Sequence, residues 1–158
     1  MQPRVTATLK ALIAVMIALL LASQIFAIPE IAQMTADRNP DVAQLKIPGI
    51  IAAILFLVLV QVTLVCVWRL LSLVRADQIF SPKAFRYVDV ILAMLICAGV
   101  LIAASYVVIM LARAVSPTVQ LLAALGVVVS FSLGLLVIVL RGLLTKALQL
   151  EQDMSEVV

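Results

Sequence analysis

The chain has 158 residues, 66% of them hydrophobic and 12% charged, against roughly a quarter charged in ordinary soluble domains. A chain this short leaves a large share of its surface outside any core, so so apolar a surface needs lipid as its solvent. The net charge of +3 is small and its basic residues are scattered, which excludes the clustered face of a nucleic-acid binder, and the absence of histidine removes His-ligated haem, His-based zinc sites and the commonest general base.

Four segments reach the ~18–20 apolar residues that cross the hydrocarbon layer as a helix: about 9–28, 48–74, 88–112 and 119–140. Together they predict one all-α domain, an integral membrane four-helix antiparallel bundle, because brief connections place successive helices side by side. The first segment is expected to stop at Pro29. Arg4 and Lys10 ahead of it imitate a secretory signal, but the run is long and no A-x-A triplet closes it, so a retained span is expected. Ala14, Ala18 and Ala22 are four apart and predict its packing face. Residues 29–47 form the longest connection.

Within the second segment Gln61 is the one strongly polar side chain near mid-span, expected to bond across the bundle. The stretch QIFSPKAFRYVD (78–89) then opens the third helix. Ser81 before Pro82 is a capping pair, a hydroxyl for free N–H groups followed by a residue with no N–H to lose. Phe80 and Phe85 stand at the two positions of a hydrophobic staple. A helix from Pro82 to about Ala112 is ~46 Å long at ~1.5 Å per residue, longer than the ~30 Å hydrocarbon layer, so it projects or tilts. Lys83, Arg86 and Tyr87 fall at headgroup depth, and Asp89 just below them needs a partner, expected from Arg86, Lys83 or Arg69. These four residues are the candidate cytoplasmic interface.

Small residues mark further packing faces: Gly99 and Ala103 in the third helix, and Gly126, Ser130 and Gly134 in the fourth. Such stripes serve a single bundle and a homo-oligomer alike. After Arg141 the chain reads GLLTKALQLEQDMSEVV, and Leu143, Leu144, Ala147 and Leu148 follow helical spacing. The fourth helix is therefore expected to continue, over 141–158, as an amphipathic cytoplasmic extension. Glu151, Asp153 and Glu156 make its end acidic, which disfavours an anionic membrane surface and suits docking on a protein or on the third helix.

Eight Lys and Arg residues fall at one side of the predicted spans and three at the other. The positive-inside bias then puts both termini in the cytoplasm. Paired carboxylates, a Ser/His/Asp set, a phosphate-binding glycine loop and metal-ligand spacing are all missing, so neither catalysis nor a cofactor is expected. Cys66 and Cys97 sit in apolar runs without CxxC spacing and read as small buried hydrophobes rather than redox groups. An oligomeric permeation protein lined by Gln61 and serines is the alternative to a protein-contact role, although charged midplane residues and broken helices are lacking.

Phe80-Ser81-Pro82-Lys83-Ala84 fits the F-[ST]-x-x-[NA] sequence found between the second and third spans of the YoaS-like group, an uncharacterised bacterial four-span membrane family, which the chain resembles. The close, ALQLEQDMSEVV, is similar to the acidic and hydrophobic tail of its actinobacterial members. The glycine that often precedes the Phe is replaced by Arg75-Ala76-Asp77-Gln78. The resemblance implies a bacterial cytoplasmic (inner) membrane protein with no established activity. It also implies a neighbouring helix-turn-helix regulator, hence a cytoplasmic regulator protein as partner, with no direct nucleic-acid contact.

Overall fold

Pro29 does not end the first helix. In the computed structural model, which describes residues 3–157, α1 (Pro3–Ala22) passes through one π turn (Ser23–Ala27) into α2 (Ile28–Arg38). Proline lacks the N–H that would bond four residues back, and its ring clashes with that carbonyl. The wider turn absorbs both problems, with the Ile28 N–H donating to the Ser23 carbonyl, five residues back. The expected loop 29–47 is accordingly mostly helical: α2, then a 3₁₀ segment (Pro40–Leu45) leading into α3 (Lys46–Arg75).

α4 (Pro82–Leu111) and α5 (Pro117–Glu156) complete an all-α four-helix bundle. Four continuous helices, of 36, 36, 30 and 40 residues, are long and apolar enough to cross a membrane. The last is ~60 Å long at ~1.5 Å per residue, about twice the hydrocarbon layer. Membrane segment and amphipathic extension are one unbroken rod.

The two links between α3, α4 and α5 repeat one design. Asp77 and Arg113 take φ values of 53° and 54° just past their helices. Each stands in a Schellman arrangement: the Gln78 N–H donates to the Leu73 carbonyl at 2.9 Å, and the Ala114 N–H to the Ile109 carbonyl at 3.2 Å. A Ser-Pro pair then starts the next helix, Ser81-Pro82 and Ser116-Pro117. The two serines differ. The Ser116 hydroxyl accepts from the Val119 N–H at 3.3 Å. Ser81 has the extended N-cap backbone, but its buried hydroxyl has no partner among the described residues, so the expected side-chain cap is not made. Its carbonyl accepts from the Ala84 N–H at 3.0 Å instead.

Packing follows chain order: α1 lies on α3, α3 on α4 and α4 on α5, while α1 and α5 scarcely meet among the described residues. The accessible surface is 10930 Å², where a compact protein of this mass exposes about 7,700 Å². Lipid makes such openness cheap, since apolar side chains there gain little by turning inward.

The α4–α5 contact is the tightest. A Cβ placed on Gly99 would lie 3.3 Å from the Ser130 Cβ, one on Gly126 would lie 3.1 Å from the Ile102 Cδ1, and one on Gly134 would lie 3.7 Å from the Leu92 Cδ1. Ala103, expected beside Gly99, is exposed; Ile102 takes the contact. The α1 face is also corrected. Ala14, Ala18 and Ala22 are exposed, and Thr6, Lys10, Ile13, Ile17, Leu20 and Gln24 turn inward. A strict four-residue row winds away from a neighbouring helix, whereas alternating steps of four and three stay on it.

These contacts predict opposite outcomes for neighbouring positions. Gly99→Val should destabilise the protein by ~1–3 kcal/mol in a reversible detergent unfolding assay, because the ~3 Å gap to α5 is overfilled. Ala103→Val and Ala18→Val, both facing outward, should stay within ~0.5 kcal/mol of the parent. For the caps, Ser116→Ala should cost about 0.5–2 kcal/mol and Ser81→Ala should cost nothing measurable.

Candidate functional site

The antiparallel packing gathers the start of α1, the end of α3, the start of α4 and the last third of α5 at one end of the bundle. Arg4, Lys10, Arg69, Arg75, Lys83, Arg86, Arg141 and Lys146 all belong to that end.

Lys10 ties α1 to α3 there. Its ammonium donates to the Ser72 hydroxyl at 2.8 Å and stands 5.7 Å from the centre of the Trp68 ring, a cation–π distance. The Ser72 hydroxyl in turn donates to the Trp68 carbonyl at 3.1 Å.

Asp89 has a different partner from those expected. Its carboxylate meets Arg141 of α5 through two contacts, Nε at 2.8 Å and Nη2 at 3.3 Å. Arg86 and Lys83 share a helix with Asp89 but are exposed, and Arg69 is exposed on α3; the α4–α5 register brings Arg141 opposite instead. The two side chains are 50% and 47% exposed, so solvent screens the pair. Its fork geometry favours orientation over stability. Tyr87 is half-buried beside this pair in sequence.

The same register sets how far α5 reaches. Each step down α4 is a step up α5, so the α4 start at Pro82 falls level with Ala147. Leu144 and Leu148 are half-buried and continue the stripe that faces α4; Leu143 and Ala147 lie on another face and are exposed. Beyond Leu148 every described residue is exposed, including Glu151, Asp153 and Glu156. Phe80 is exposed and Phe85 half-buried.

At the other end, α2 and the 3₁₀ segment roof an apolar cavity of about 640 Å³ between α3 and α4. Lys46 donates to the Gln33 side-chain oxygen, and the Gln33 amide donates to Asp37 at 2.9 Å. Inside the spans, the side-chain nitrogens of Gln24 and Gln61 are buried with no partner among the described residues, so the Gln61 amide N–H donates no hydrogen bond across the bundle. Cys66 is buried but Cys97 is exposed, which corrects its reading as a buried hydrophobe. Among the described residues no group of three or more Cys, Asp or Glu is placed to hold a metal ion.

Two features escaped the sequence reading. The Ser116-Pro117 cap carries the same signal as Ser81-Pro82 and was legible. The Asp89–Arg141 pair was not, because its members are 52 residues apart and only the α4–α5 register joins them.

Four long apolar helices, charged at the ends, define a multi-pass membrane protein. The chain belongs to the family described as Protein of unknown function (DUF2975), which matches residues 30–158 and so takes in α2 to α5 but not α1. Neither a curated protein nor a solved structure matches the chain.

A double-mutant cycle on Asp89→Asn and Arg141→Gln should give a coupling of about 0.2–1 kcal/mol that shrinks as salt is raised. Exchange of the two charges, Asp89→Arg with Arg141→Asp, should restore most of the stability lost in either single variant.

Proposed function

We propose that this protein acts without catalysis, as a bacterial inner-membrane protein that engages a cytoplasmic protein through the charged end of its bundle. The observation that carries this reading is the exposed end of α5, which runs past α4 with Leu150 and Met154 at 65% and 73% exposure. In lipid such residues need no cover, but past Arg141 they stand among Lys146, Glu151 and Asp153, the composition of a watery face. The positive-inside bias supports a cytoplasmic location for this end, since eight of the eleven Lys and Arg residues gather there.

The resemblance to the YoaS-like group supports a helix-turn-helix regulator as the partner, held at the membrane and away from DNA. Acidic residues on the extension suit a DNA-binding protein, whose own surface is basic. Lys83, Arg86 and Tyr87 border the same surface on α4.

The test uses the purified helix-turn-helix protein encoded beside this chain's gene. It should co-sediment with proteoliposomes carrying the intact chain and lose that association when the chain ends at Ala147. Absence of such a neighbour, or equal co-sedimentation with both chains and with empty vesicles, contradicts the reading.

A further inference from the structure

The exposed side of α5 carries a regular pattern of its own. Leu136, Leu140, Leu143, Ala147, Leu150, Met154 and Val157 follow one another at alternating steps of four and three, the spacing of a coiled-coil seam. All seven are exposed, the six larger ones between 53% and 87%. The stripe is distinct from the one facing α4, which runs through Gly126, Ser130, Gly134, Leu144 and Leu148. Its first members lie within the apolar span and its last five lie past Arg141.

We infer that this seam pairs with the same seam of a second copy, forming a parallel two-helix coil that begins in the membrane and continues into water. Placement of charge favours a copy over an unrelated helix. Positions flanking a seam select the partner through paired charges. With Leu140, Ala147 and Met154 at one core position and Leu143, Leu150 and Val157 at the other, the flanks of the extension are Leu144, Lys146, Glu151 and Asp153. In a parallel pair in register, Lys146 of one copy falls beside Glu151 of the other, five residues on, so two copies bring opposite charges together on both sides of the seam. Arg141, Gly142, Thr145, Gln149 and Gln152 occupy outward positions.

The membrane supplies what so short a coil lacks. Copies inserted with one orientation are already parallel and level, and the helix is already formed to Glu156, so pairing orders little that was free. The membrane surface does not compete for the stripe, because α5 continues straight beyond Arg141 and carries acids at its end. The dimer needs no third protein, but it covers Leu150 and Met154, so a regulator would meet the rim of the paired extensions and not the stripe itself.

The experiment uses the full chain in native membranes, with Cys66→Ala and Cys97→Ser as background and single cysteines at Leu150, Met154, Thr145 and Gln152, the last two on the outward face. Mild oxidation should give a band of twice the chain mass at Leu150→Cys and Met154→Cys, and several-fold less at the two outward positions. Equal yield on both faces, no doubled band at either seam position, or a band of another mass overturns the inference. In the unaltered chain, Leu150→Asp with Met154→Asp should halve the light-scattering mass in detergent while retaining helix content. A mass unchanged by that pair of substitutions also overturns it. A crosslinked dimer that captures no regulator sinks the regulator reading alone.

Discussion

Close approach of α5 to α4 is the constraint on which the charged end of this protein depends. Hydrophobic exclusion does little between helices already dissolved in lipid, so contact must come from surfaces that fit. Gly99, Gly126 and Gly134 leave room for Ser130, Ile102 and Leu92, and three such fits along one seam fix a single antiparallel register. That register sets Asp89 against Arg141 and leaves the end of α5 without α4 beside it. Shifting it by one helical turn would strand a carboxylate near the membrane edge and withdraw or lengthen the extension by ~5 Å.

The remaining contacts are looser, and the solvent explains why. A soluble chain with 10930 Å² of surface would be paying heavily for exposed Leu and Val. Along most of this chain lipid meets those side chains as well as protein would. The argument fails only where the helix leaves the hydrocarbon. Leu136 needs no explanation for its exposure, whereas Leu150, on the same stripe, does. Depth, more than apolarity, separates a lipid-facing residue from one that requires a partner.

Much of this architecture was legible in the sequence, and the failures have physical causes. Long apolar runs located α3 and α5, and the Ser81-Pro82 pair located the start of α4, to within a few residues, because lipid thickness and proline chemistry act locally. Pro29 misled because a π turn lets a helix pass a proline, at the cost of one wider turn. The alanine row of α1 and Ala103 misled because small size marks where a close contact is allowed, not where a neighbour stands. Thr6, Ile13 and Ile17 show the alternating spacing that does track a neighbour. Ser81 combined the right residue, the right position and the right backbone, yet its hydroxyl bonds to none of the described residues.

The α4–α5 register is the central claim, and site-directed disulfide formation measures it most directly. In a chain with Cys66 and Cys97 replaced, Leu92→Cys should oxidise readily with Gly134→Cys, whose positions are in contact. It should react poorly with Ser130→Cys or Ile138→Cys, one turn away on either side. Preferential bonding to either of those would move the extension, separate Asp89 from Arg141, and contradict the account.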